Sequence, residues 1–125
     1  MNLPPPLRRL CLPVAAGLAL LAAPVSAAEL RLMMIEQAGC IYCARWNEEV
    51  APEYSLTDEG KAAPLLRQDL RAPLPPGIVI DRPAVFTPTF VLLVDGTESA
   101  RIEGYPGEDF FWPMLGQMIA AAPHD

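Results

Sequence analysis

Cys40 and Cys43, in Gly39-Cys40-Ile41-Tyr42-Cys43-Ala44, are the residues of this chain whose type and spacing most directly suggest chemistry. They follow an apolar run, Leu30 to Ile35, and open a stretch with helical patterning. Two cysteines at this spacing can close a small disulfide ring. In the first turn of a helix the Cys40 sulfur is exposed, and unpaired backbone N–H groups favour its anionic form. A thiolate is the species that attacks disulfides, so the placement points to thiol redox catalysis by Cys40 and Cys43. The same spacing supplies half of many zinc sites, and a structural disulfide is a third reading. Closing so short a loop gains little from unfolded-state entropy, which disfavours the structural role. Zinc would need two further ligands, and the only histidine, His124, is next to the last residue, where chains are usually loosely held. No metal and no cofactor is expected.

The amino terminus carries Arg8 and Arg9, then an apolar run from Leu10 to Ala23, then Val25-Ser26-Ala27 with small residues at the cleavage positions. This is the pattern of a secretory signal peptide. At about 14 residues the run is short of the roughly 20 that span a bilayer, so no stable membrane anchor is expected. Cleavage is expected after Ala27, with Ala28 as the alternative boundary. Residues 1–27 are thus the signal peptide and 28–125 the domain. Cys11 leaves with the signal, and Arg8-Arg9-Leu10-Cys11 lacks the small residues of a lipid-attachment box.

The remaining 98 residues suffice for one small domain with a single core. The chain has net charge −6, and all fifteen acidic residues lie beyond Ala27, so loss of Arg8 and Arg9 leaves −8. Nucleic acid is not an expected partner. Acids and bases are spread along the chain without contiguous runs of one sign, which describes a solvated surface rather than an acidic docking patch.

The elements that must position the cysteines follow from periodicity. Leu30 to Glu36 is expected as a first strand, and a helix from about Cys40 places Cys43, Trp46 and Val50 on one inward face. Pro52 should bend or stop that helix near Ala51, with Tyr54 past the break. Thr57, Asp58 and Glu59 can open a short helical turn before Pro64, and Leu65 to Leu70 is expected as a second strand. Prolines at 73, 75, 76 and 83 with Gly77 make the segment from Arg71 to Pro83 a connection, with one possible edge turn. Phe90 to Val94 is a nearly all-apolar strand, Asp95-Gly96 a hairpin turn, and Ser99 to Glu103 its antiparallel return. A terminal helix is expected from about Glu108 to Ala121, with Phe111, Leu115, Met118 and Ile119 on one face. Phe110, Phe111 and Trp112 exceed one face and read as core packing with a wrapped edge, or as a dimer or partner surface.

This order is an α/β fold with the cysteine pair at the carboxyl end of the first strand, where open α/β sheets place their sites. The chain from Leu30 to Ala121 resembles the thioredoxin-like superfamily. Cys40-Ile41-Tyr42-Cys43 stands at the redox position and Thr87-Pro88-Thr89-Phe90 where the family has its cis-proline before a central strand. Val94-Asp95-Gly96-Thr97 and Gly104 match a family turn and glycine. The resemblance implies a thioredoxin fold, a central mixed sheet of about four strands flanked by helices. It implies Cys40 as the nucleophile that forms a mixed disulfide with a client, and Cys43 as the resolving thiol. Thr87, Pro88, Gly104, Ile41 and Tyr42 would contact the client, the Thr87 backbone pairing with an extended segment. Tyr42, Trp46 and Tyr105 can form an apolar rim, Tyr42 foremost. Without the cysteines, Thr87-Pro88 would read as an ordinary loop proline.

Thioredoxin carries an aspartate, a tryptophan and Gly-Pro where this chain has Met34, Gly39 and Ile41-Tyr42. Glu36 is a substitute proton acceptor if it points toward the pair, and otherwise a solvent-facing strand-end acid. The segment from Glu36 to Cys40, continuing through Pro52 to Gly60 and Ala63-Pro64-Leu65, resembles the small periplasmic thioredoxins of bacterial thiosulfate-oxidation systems. That resemblance implies a periplasmic reductase that keeps the thiol of a sulfur-carrier protein reduced, drawing electrons from a membrane thiol donor. Two other classes compete with this reading. A dithiol oxidant usually carries a helical insertion that 98 residues do not hold. A copper or zinc carrier would draw on Met33 and Met34, yet adjacent strand residues point to opposite faces.

Overall fold

The computed structural model describes residues 1–5, 17, 19–24 and 26–123. Arg8, Arg9, Cys11, the first part of the apolar run, Val25 and His124 lie outside the described residues. The elements in chain order are β1 (Leu30–Glu36), α1 (Ile41–Glu49), α2 (Ala51–Tyr54), α3 (Asp58–Ala62), β2 (Leu65–Asp69), β3 (Thr89–Val94), β4 (Thr97–Glu103) and α4 (Glu108–Ala121).

The sheet has the order β2-β1-β3-β4. β1 runs parallel to β2, a pairing that requires a crossover, and α1 to α3 supply it. β1–β3 and β3–β4 are antiparallel. As inner strands buried on both faces, β1 and β3 read as near-continuous apolar runs. Period-two alternation sends Leu32, Met34, Phe90 and Leu92 to one face and Met33, Ile35, Val91 and Leu93 to the other. The two methionines are therefore both core residues, wholly buried on opposite faces.

The first face carries the helices. Cys43 and Trp46 from α1, with Val50 at its C-cap, meet Phe111 and Leu115 from α4 over the sheet, all buried. Trp46 packs on Tyr54, Phe90 and Phe111 with ring centroids 5.4 to 6.0 Å apart. The α1 break comes just before the position expected from Pro52. Val50 closes α1 by donating its N–H to the Trp46 carbonyl, and the chain restarts at Ala51 with Pro52 in the first turn, where the missing N–H costs no helical bond. Tyr54 then donates its hydroxyl to the Ala63 carbonyl at 2.6 Å. Thr57 caps α3 by accepting the Gly60 N–H at 3.0 Å. A Cβ at Gly60 would strike the Tyr54 carbonyl, so only glycine fits there.

Of the aromatic triplet on α4, Phe111 is buried, Trp112 stacks on Tyr54 at 5.9 Å, and Phe110 is exposed. Core packing accounts for two of the three. Pro113 lies inside α4 without ending it. Asp109, whose carbonyl loses its donor, is exposed, so water can replace the bond.

Among the described residues no helix packs on the second face. The proline-rich segment covers it with Leu70, Leu74, Ile78, Ile80 and Ala84, over a cavity of about 430 Å³ lined by Ile35, Leu70, Leu74 and Ile80. This segment is more than a connection, because Val79 bridges in parallel to Thr97. Glu98 and Arg101 lock the same region. Their side chains are 2% and 7% exposed and meet at 2.5 Å, and the Glu98 carboxylate also accepts the Asp81 N–H at 2.7 Å. The Arg101 bond holds the Glu98 carboxyl below its usual value of 4.5. A carboxyl depressed in the folded state stabilises the fold above its unfolded pKa. That contribution is lost as pH falls through the lower folded value. Urea unfolding midpoints should accordingly hold steady above about pH 4.5 and decline below it, and Glu98→Gln should flatten the decline.

Candidate functional site

Cys40 is the N-cap of α1, with φ −79° and ψ 109°, and its sulfur accepts the Cys43 N–H at 3.1 Å. A sulfur thus occupies the position usually taken by a serine or aspartate oxygen, at the positive end of the helix. Cys40 and Cys43 form a disulfide with their Cα atoms 5.2 Å apart. Cys43 is 3% exposed and belongs to the core, whereas Cys40 is half-buried at the surface. Ile41 and Tyr42, between them, are 75% and 54% exposed. Helical geometry turns both outward while Cys43 points in.

The Thr87-Pro88 peptide is cis. Pro88 and Thr89 are buried, and the loop is held from three directions. Gly104 donates its N–H to the Pro88 carbonyl at 2.8 Å. Thr89 Oγ1 donates to the Phe86 carbonyl at 2.7 Å, and Gln37 Nε2 donates to Thr87 Oγ1 at 2.9 Å. Gly104 has φ +84°, a left-handed conformation that favours glycine. Tyr42, Phe86, Thr87, Gly104, Tyr105 and Pro106 line one groove of about 520 Å³. The structure thereby brings Tyr42, Thr87 and Gly104, which lie 45 and then 17 positions apart in sequence, to a single surface.

Tyr105 anchors that groove to α1. Its hydroxyl donates to the Glu49 carboxylate at 2.5 Å, and the Arg45 guanidinium lies 6.0 Å from its ring centroid. The Tyr105 bond holds the Glu49 carboxyl below the usual carboxylate range. Burial, and then the Glu49 bond, push the Tyr105 phenol up. Both effects keep a neutral phenol donating to an anionic carboxylate. Trp46, by contrast, is wholly buried and belongs to the core rather than to the rim.

A second groove, of about 400 Å³, lies on the other side of the motif and is lined by Glu36, Gln37, Cys40, Cys43 and Asn47. Glu36 extends on the Met34 face and is bound to Arg67 at 2.7 Å. Arg67 also donates to Asn47 Oδ1 at 2.8 Å and sits 5.8 Å from the Trp46 ring centroid. Glu36 is therefore neither a free strand-end acid nor a free base. It is one member of an ion-paired network beside the cysteines. Arg67, Asn47 and Gln37 carry no local sequence signal, because nothing in a β2 arginine or a β1-end glutamine announces its partners. Phe86 was not singled out in the sequence; its position next to Thr87-Pro88 is the one signal that could have found it. Among the described residues no three or more His, Cys, Asp or Glu side chains group to hold a metal ion.

No protein-family model matches the chain, and no curated protein matches it. Among solved structures, the periplasmic thioredoxin SoxS from Paracoccus pantotrophus, in its reduced form, is 64% identical. It matches with a TM-score of 0.72 over 74% of this chain and 97% of that chain. A thioredoxin of Malassezia sympodialis, Mala s 13, gives 14% identity and a TM-score of 0.48 over 73% of this chain and 76% of that one, too distant to add to the argument. A cysteine pair already bonded at a helix N-terminus, beside a cis-proline loop, is a thiol-disulfide redox centre, and the chain is a thiol-disulfide oxidoreductase. The chain belongs to the thioredoxin-like superfamily, and within it to the small periplasmic thioredoxins represented by SoxS, as the resemblance running from Glu36 to Leu65 implied.

Proposed function

We propose that this protein is a periplasmic reductase of disulfides in exported client proteins, with Cys40 as nucleophile and Cys43 as resolving thiol. The observation that carries the reading is the contrast within the pair. The Cys40 sulfur is the one at the surface and at the helix end, two positions before Tyr42 of the Tyr42–Thr87 groove, while Cys43 is in the core. In the dithiol form, the Cys40 thiolate attacks one sulfur of the client disulfide and expels the other as a thiolate that takes up a proton. The Cys43 thiolate then attacks Cys40 Sγ and releases the second client sulfur. Two electrons and two protons pass to the client, and the Cys40–Cys43 disulfide remains. A membrane dithiol donor restores the dithiol by the same exchange.

The client segment lies extended in the groove, its main chain pairing with Thr87 and its side chains meeting Ile41, Tyr42, Pro88 and Gly104. The likeness to SoxS supports the compartment, and the sulfur-carrier protein of a thiosulfate-oxidation system is the proposed client. The Arg8-Arg9 and Val25-Ser26-Ala27 pattern supports export with cleavage after Ala27. Among the described residues no helix is long and apolar enough to cross a membrane.

The reduction potential of the Cys40/Cys43 couple tests the direction. Equilibrated in defined thiol buffers and scored by alkylation, it should fall near or below about −200 mV. A value near about −120 mV would make the protein an oxidant instead.

A further inference from the structure

The cysteine loop follows β1 and the client-pairing loop precedes β3; the two strands pair antiparallel with Ile35 opposite Thr89, so both loops lie at the same end of the strand pair, and one side-chain bond joins them. Gln37 follows the last residue of β1 and precedes Cys40 by three positions, with Gly39 between them in a left-handed turn at φ +77°. Its Nε2 donates to Thr87 Oγ1 at 2.9 Å across fifty residues of sequence. The other two ties on the Phe86–Thr89 loop, from Thr89 and from Gly104, reach it from β3 and from the end of β4. They fix the loop to the sheet. Neither refers it to the cysteines.

We infer that Gln37 is a positioning residue for client docking: it sets the spacing between Cys40 and the Thr87 main chain that an extended client must span. The inference rests on the reading of the Tyr42–Thr87 groove as a protein-docking surface. A client in that groove is held at two places at once, by its sulfur at Cys40 and by its main chain at Thr87. Binding is strongest when those two anchors stand at a fixed separation, because ordering them on binding costs entropy. The Gln37 side chain bonds only Thr87, its main-chain carbonyl accepts the Cys40 N–H at 3.4 Å, and it touches neither sulfur through a hydrogen bond. Its loss should weaken capture of a protein disulfide and spare chemistry on a small disulfide that never reaches Thr87.

The test uses insulin as the protein disulfide and 5,5′-dithiobis(2-nitrobenzoate) as the small one, with the dithiol form regenerated chemically. Gln37→Ala should raise KM for insulin about fivefold, the effect of one hydrogen bond, with kcat unchanged. Its rate with the small disulfide and its Cys40/Cys43 potential should match the parent protein. Thr87→Val removes the acceptor and should raise KM for insulin similarly, whereas Thr87→Ser retains Oγ1 and should restore it. The double variant Gln37→Ala/Thr87→Val should be no worse than either single change, because both break one bond. Additive losses, or an equal fall in the small-disulfide rate, would overturn the inference by showing that Gln37 acts elsewhere. A parent protein that reduces the small disulfide but not insulin would overturn the docking reading itself, and this role for Gln37 with it.

Discussion

Cys40→Ser is expected to remove disulfide exchange altogether, by at least about 10⁴-fold in turnover, because among the described residues the other thiol, Cys43, is buried and cannot replace the attacking atom. Cys43→Ser should behave differently. It leaves Cys40 at the helix N-terminus, free to attack, but removes the group that ends the encounter, so a mixed disulfide with the client accumulates. Non-reducing gels after rapid alkylation would show a Cys40-linked adduct with Cys43→Ser and none with Cys40→Ser. The asymmetry follows from burial, since Cys43 is 3% exposed beneath the outward-facing Ile41 and Tyr42. A client forming equal adducts with either variant would defeat the assignment of roles. Loss of a bound metal with either change, in a protein that traps no client, would instead favour the carrier reading.

Phe111→Ala is expected to destabilise the domain by about 3 to 5 kcal/mol, a large share of the 5 to 15 kcal/mol typical of a small domain. Phe111 is wholly buried and meets four aromatic rings. Phe90 lies 5.0 Å away, Trp112 5.4 Å, Trp46 5.8 Å and Tyr105 6.2 Å, measured between centroids. Truncation to alanine loses transfer free energy and leaves a cavity that a clustered aromatic core cannot close by small shifts. The cavity would open beneath α1 and beside Tyr105, so the groove wall should loosen with the core. Urea denaturation should show a lower midpoint with an unchanged slope. A change under about 1 kcal/mol would mean that α4 can repack around the gap.

The local signals and the observed elements agree most closely where periodicity is strong. β1 and α4 have the bounds that the alternation and the apolar face assigned to them, and Asp95-Gly96 turns the hairpin with φ of +50° and +83°. Both residues adopt the left-handed region that this two-residue turn requires, and their types announce it. Cys40 and Cys43 were legible for the same reason, since a three-residue spacing at a strand-to-helix junction is local information. The groove wall was partly legible through Thr87-Pro88 and Gly104, although only by resemblance. The covering of the second sheet face was not legible. Leu70, Leu74, Ile78, Ile80 and Ala84 follow no helical or strand period, and they pack only because the sheet beneath offers an apolar surface.

The sequence by itself determined the redox chemistry, the strand and helix order and the inward face of α1, because each depends on neighbours within a few positions. Only the tertiary structure decided which distant groups meet the cysteines. Glu36 joins Arg67 and Asn47, Gln37 meets Thr87, and Tyr105 meets Glu49, at sequence separations of 20 to 56. Those contacts arise from strand order and register, which bring β2 and the cis-proline loop alongside β1. Side-chain hydrogen bonds form wherever that register leaves donor and acceptor within reach, and no local pattern in the chain encodes the distance.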